Sequence, residues 1–225
     1  MKPVNSFLLF LILMVSLAVT TTSCKKVFGL EKQSDWDFDP VTLDPHININ
    51  AWEFLKKRAL GSVPNDTIFK RMYQGIIYAG IDSNEYMKEN RTYIFLHNDA
   101  IRRGTNTDSY WGYYKVGNPL RVAVDWSEYP VDSVRNWLLY LIIDGNHTFE
   151  TLGPIAKEVN TLMPKNVNPR NPESVMTLRI NNASDSKFMI NDYIGSLQPT
   201  TARTAGILAT NGPVHVVDRI VEYRK

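Results

Sequence analysis

Four histidines, His46, His97, His147 and His215, are the side chains best suited to proton transfer or metal ligation near neutral pH. They stand far apart, without ligand spacing. No His-Glu-x-x-His pair, Gly-x-Ser-x-Gly elbow or Gly-rich phosphate loop accompanies them. A metal site would have to be assembled by the fold from distant residues, so the sequence designates no metal ligand and no cofactor. The carboxylates Asp35 and Asp37 lie in a segment without periodicity, where nothing would desolvate one of them and tune an acid–base pair. These residues predict no catalytic set, and the chain reads as a non-enzyme. Cys24, the single cysteine, is the remaining reactive group.

The surroundings of Cys24 suggest its use. Lys2 is followed by an apolar run from Phe7 to Val19, broken only by Ser16, and then by Thr20-Thr21-Thr22-Ser23. A basic start, an apolar centre and a small-residue exit make a secretory signal over residues 1–23. The run is shorter than the ~20 residues a bilayer span needs. Ser23-Cys24 resembles the lipobox of bacterial lipoproteins of the Bacteroidetes type, with Thr21 in place of the usual leucine. That resemblance implies a lipid-acylated Cys24 with membrane lipid as a partner; the expected location is the outer membrane, facing either the cell surface or the periplasm. Several acyl chains, at ~0.8 kcal/mol per buried methylene, make such an anchor stable. The competing reading is a lone buried thiol behind an ordinary signal, since one cysteine closes no disulfide within the chain.

Residues 24–48 read as a lipid-anchored tether. Lys25-Lys26, the acidic-aromatic Ser34–Asp39 stretch, Pro40 and Pro45 follow neither helical nor strand period. The remaining 49–225 is long enough for one sizeable core. The formal net charge is +2 and the longest basic block is Lys56-Lys57-Arg58, which gives no support to nucleic-acid binding. Asn50 with Glu53 predicts a capped helix carrying Trp52, Leu55 and Ala59. A second helix is expected to start near Pro64 and stop near Gly80, with Ile68, Phe69, Met72, Tyr73, Ile76 and Ile77 as its stripe. A short turn follows over 82–87. Arg91–Leu96 predicts a strand, residues 105–129 a long loop or hairpin, and Pro130 to Asp144-Gly145 a helix. Short strands are expected at 174–180, 187–190, 205–209 and 214–221. Early helices and late strands favour an α+β architecture.

The run Ile207–Val221, with its Asn211-Gly212 turn ahead of a strand holding His215 and Asp218, resembles the second sequence box of the fasciclin-like family. Thr92, Asn98 and Ala100 occupy matching places of the first box, although Phe95-Leu96 replaces its usual Ala-Pro pair. Tyr140 sits in a segment similar to the family's Tyr-His segment, with Leu141 where the histidine would be. The resemblance covers about residues 50–225 and implies an insertion over about 103–130. It implies a fasciclin-like fold, with N-terminal helices packed on a short-stranded β-sandwich or wedge, and a binding or adhesion role. An Asp-Ile recognition pair found in some animal relatives is replaced here by Gly206-Ile207, so receptor recognition of that kind does not carry over.

Independently of the family, Asn-Gly is a strong turn signal because both residues tolerate positive φ. Val214 and Val216 then fall on one face of the strand, with His215 and Val217 on the other. His215 makes either a structural hydrogen bond or a ligand contact, and Asp218 either orients it or is simply exposed. Tyr110, Trp111, Tyr113 and Tyr114 form the candidate ligand-binding surface, stacking on sugar rings if the loop exposes them. Otherwise they pack on the domain. The expected function is a membrane-anchored extracytoplasmic module that captures a glycan or cell-surface protein, in the manner of accessory lipoproteins of polysaccharide uptake. The alternative is a periplasmic envelope-assembly partner without an external ligand.

Overall fold

The computed structural model describes residues 26–27, 30–31, 44–61, 66–196 and 198–223. The chain divides into two units, Met1–Leu43 and Asp44–Lys225. In the first, β1 (Lys26–Val27) pairs antiparallel with β2 (Leu30–Glu31). The signal segment, Cys24 and most of the expected tether lie outside the described residues. No helix among the described residues is long and apolar enough to cross a membrane.

The second unit is built on a four-stranded sheet. Its two inner strands are β3 (Arg91–Leu96) and β10 (Gly212–Val217), which run parallel from Val214 opposite Tyr93 to Val217 opposite Leu96. Strand β4 (Ile142–Asp144) flanks β3, and β9 (Thr204–Ala209) flanks β10, both antiparallel. Thr92–Leu96 and Pro213–Val217 are buried throughout, because both faces of these strands are covered and strict polar alternation would leave unpaired groups inside. The hairpin from β9 to β10 turns one residue earlier than the Asn-Gly signal indicates. Thr210 and Asn211 form the turn and Gly212 opposes Ala209 as the first strand residue. Asn211 is not among the positive-φ residues. Residues 45–49, which straddle the expected boundary between 48 and 49, run along β9. There Ile47 N–H donates to the Leu208 carbonyl at 3.0 Å and Leu208 N–H to the Pro45 carbonyl at 2.9 Å.

Helix α1 (Ala51–Lys57) starts where Asn50 Oδ1 accepts from Glu53 N–H at 2.8 Å, and buries Ala51 and Leu55. Helix α2 (Lys70–Tyr78) is shorter than the sequence pattern suggests. It buries Met72 and Ile76 but leaves Ile77 exposed. Phe69, just before it, meets Phe95 of β3 edge-on at 5.3 Å, which ties these helices to the sheet. Short α3 (Asn98–Ile101) and α4 (Tyr110–Tyr113) follow, and α5 (Val131–Tyr140) inserts Val134, Trp137 and Leu138. The α5 helix ends at Tyr140 rather than at Asp144-Gly145, because Ile142–Asp144 is recruited as β4 by pairing with Arg91–Tyr93.

A second sheet, in the order β5-β6-β7-β8, comprises Lys157–Asn160, Val175–Ile180, Phe188–Ile190 and Thr200–Thr201. Strands β4, β5 and β8 lack a local signal. They are short, polar or preceded by a helix, and their partners across the sheet define them. Ile143 bridges to Thr161, so one end of the first sheet continues into the second. One apolar core joins Tyr93 and Val214 of the first sheet to Met176, Leu178 and Ile190 of the second. The architecture is α+β, two small sheets with short helices packed against them.

Candidate functional site

The residues singled out by the resemblance are mostly buried, and several are hydrogen-bonded within the domain. Thr92 Oγ1 donates to the Gly145 carbonyl at 2.7 Å and accepts from His147 N–H at 2.9 Å, tying β3 to the turn after β4. Asn98 accepts from Arg71 N–H at 2.9 Å and donates to the Thr67 carbonyl at 2.7 Å, so it caps the start of α2 from a distance. Ala100 is fully buried. Tyr140 exchanges hydrogen bonds with Asn191 and thereby joins α5 to the second sheet. Asn211 accepts from Ala51 N–H at 2.8 Å and donates within reach of the Tyr86 and Lys88 carbonyls, at 3.0 and 3.1 Å, and of Tyr93 Oη at 2.9 Å. A Cβ on Gly212 would lie 1.9 Å from the Arg91 carbonyl oxygen, so only glycine lets β10 approach β3 here.

His215 is fully buried. Its Nε2–H donates to the His147 carbonyl at 2.8 Å, and its Nδ1 accepts from Gly206 N–H at 3.2 Å, which sets the neutral tautomer. Its ring stacks on Phe188 at 3.8 Å. Burial pulls its pKa down to about 4. Both nitrogens are spent on backbone groups, the structural of the two roles open to it. Asp218 does not contact it, and pairs instead with Arg103 at 3.1 Å.

The aromatic segment differs from the exposed loop that would stack on sugars. Tyr110 and Trp111 are 2% and 3% exposed, and Trp126 and Tyr129 are buried with them. Tyr110 stacks on Trp137 at 4.1 Å, and Trp111 meets Trp126 edge-on at 5.4 Å. Tyr113 and Tyr114 are half-buried, and Tyr114 Oη donates to Glu222. The rings turn inward because α4 winds them toward the apolar side of α5, and each large apolar side chain gains about 1.5–3 kcal/mol by leaving water. Tyr110 and Trp111 therefore have no free face for a ligand.

A cleft of about 610 Å³ lies elsewhere, between β9 and the β7–β8 side of the second sheet. Phe149 stands in it 40% exposed, its ring 6.2 Å from Phe188 and nearly perpendicular to it. The Phe149 ring rests against Gly206, whose φ of +81° favours glycine. Hydroxyls of Ser186 and Thr201, the cations Lys187, Arg203 and Arg219, and the carboxylates Asp185 and Asp218 also line the cleft. Its size fits the ~300–1,000 Å³ usual for small-ligand sites, and so does the pairing of an aromatic ring with a few polar groups. No sequence spacing marks it, because its residues come from the turn after β4, the start of β7, β8, β9 and the end of β10. Among the described residues, no group of three or more His, Cys, Asp or Glu side chains is placed to hold a metal ion.

No protein-family model matches the chain, and no curated protein sequence matches it. Among solved structures it is similar to a FAS1 domain pair from the insect cell adhesion molecule fasciclin I, with a TM-score of 0.46 and 14% identity. That match covers 69% of this chain and 45% of the other, so this chain spans less than half of the solved pair.

Proposed function

We propose that the chain is an extracytoplasmic binding module with a fasciclin-like body, held to the outer membrane through acylated Cys24, and that it captures a glycan or cell-surface protein. The observation that carries binding is the cleft beside Phe149, with a partly exposed ring and several charged side chains, whereas Asn211 and His215 are spent on internal hydrogen bonds. The resemblance of residues 92–101 and 207–221 to the two family boxes supports the adhesion-type reading, because β3 and β10, which carry much of them, are the paired inner strands. The lipobox-like Ser23-Cys24 supports the anchor, and accessory capture in polysaccharide uptake is the specific form of the role.

Detergent phase partition tests the anchor: the wild type should enter the detergent phase and Cys24→Ala the aqueous phase. Protease shaving of intact cells tests the capture role. Loss of the domain supports a surface function, whereas cleavage only after lysis would turn the reading toward an envelope-assembly partner.

A further inference from the structure

We infer that the Phe149 cleft takes an acidic sugar, with Arg203 and Arg219 holding its carboxylate and Phe149 supporting its ring. This rests on the reading of the body as a binding module.

The charge arrangement around the cleft carries the inference. Arg103 sits behind it and engages the carboxylates on that side. Its Nη2 is 3.1 Å from Asp218 Oδ2 and also donates to the Asp218 carbonyl at 2.9 Å, and its Nη1 is 3.0 Å from Asp108 Oδ2. Arg203 and Arg219 face the same two carboxylates from further off. Arg203 Nη1 lies 3.9 Å from Asp218 and Arg219 Nε 3.9 Å from Asp108, and their side chains are 52% and 59% exposed. Exposed pairs at such separations contribute little, so these guanidiniums keep their hydrogen-bonding forks for a further carboxylate, which arginine binds in a planar, bidentate way. Lys187 adds a third cation, 3.3 Å from Asp185.

The rest of the cleft favours a sugar over an acidic peptide. Phe149 presents apolar area against which the C–H face of a pyranose packs, and it is seated on Gly206 and Phe188 rather than left to swing. Ser186 and Thr201 supply hydroxyls that both donate and accept, matching the hydroxyls of a sugar. An extended peptide would be better served by a free strand edge, and the outer side of β9 is already paired with residues 45–49.

Calorimetric titration of the full-length protein in detergent with trigalacturonate, its methyl ester and a hexaglutamate peptide tests this. Trigalacturonate should bind saturably and more weakly at high salt. Methyl esterification and the double variant Arg203→Gln/Arg219→Gln should each weaken binding by about tenfold or more. Phe149→Ala should weaken it at low and high salt alike, with a cooperative melting transition retained. Equal binding of the ester, an unaffected double variant, tighter binding of the peptide, or no binding of trigalacturonate would each overturn the acidic-sugar assignment. Ester binding as tight as that of the acid, and lost in Phe149→Ala, would overturn it while leaving the binding module standing. A wild-type protein that partitions like Cys24→Ala removes the anchored module itself, whatever the cleft binds.

Discussion

The Nε2–H of His215 donates to the carbonyl oxygen of His147 at 2.8 Å, across 68 residues of sequence. With Gly206 N–H donating to the other ring nitrogen and Phe188 stacked on its face, this imidazole connects β10, β9, the turn after β4 and the second sheet. The walls of the Phe149 cleft are thereby fixed to one another by a residue that does not line it. A charge on this ring would have to displace the Gly206 N–H, so the framework tolerates only the neutral form.

Stability should therefore depend on pH through His215. Burial lowers its pKa from 6.5 to about 4, so between those values the unfolded chain binds a proton that the folded one refuses. The contribution is complete above pH 6.5 and is lost as pH falls toward 4, by at most about 3 kcal/mol. Burial lowers the His147 pKa as well, which acts in the same direction. Urea unfolding from pH 7 to 4.5 should show the loss, and His215→Gln, which keeps a donor but does not titrate, should flatten the slope. A variant with the same slope as wild type would remove His215 as its source.

Asn211→Ala should cost about 3 kcal/mol, because it strands the Ala51 N–H and the Tyr86 carbonyl in the interior. The urea midpoint should fall with the slope of unfolding unchanged. A change under about 0.5 kcal/mol would place these groups in contact with water.

Gly212→Ala should be at least as damaging, since its methyl group would meet the Arg91 carbonyl at 1.9 Å and force β10 away from β3. Loss of about 3 kcal/mol or more is expected, with the amides of Tyr93–Leu96 and Val214–Val217 losing protection together in hydrogen exchange. Protection confined to one strand would contradict the pairing seen here.

Trp111→Ala should destabilise by about 3–5 kcal/mol, as deletion of a buried indole does. Tyr113→Ala, half-buried, should cost less. An exposed ligand-binding loop would give the opposite outcome, a melting curve that hardly moves, so thermal unfolding of the two variants separates packing from exposure.

What could be read from the sequence was what depends on near neighbours. Asn50 ahead of Glu53 marked the start of α1, the β-branched and aromatic run Arg91–Leu96 marked β3, and Asn211-Gly212 located the β9–β10 hairpin to within one residue. Early helices followed by late strands gave the α+β class, and the isolation of the histidines argued against a local ligand motif. The tertiary structure decided everything that depends on distant partners. Ile142–Asp144 became a strand because Arg91–Tyr93 lay beside it, and Tyr110 and Trp111 became core because α5 offered apolar surface. The cleft gathers Phe149, Lys187, Arg203 and Arg219 from separate segments, and two of its cations are left for a ligand only because Arg103 reaches Asp108 and Asp218 first. Local pattern reports the conformation of a segment, whereas burial and charge pairing belong to the neighbours that the folded chain supplies.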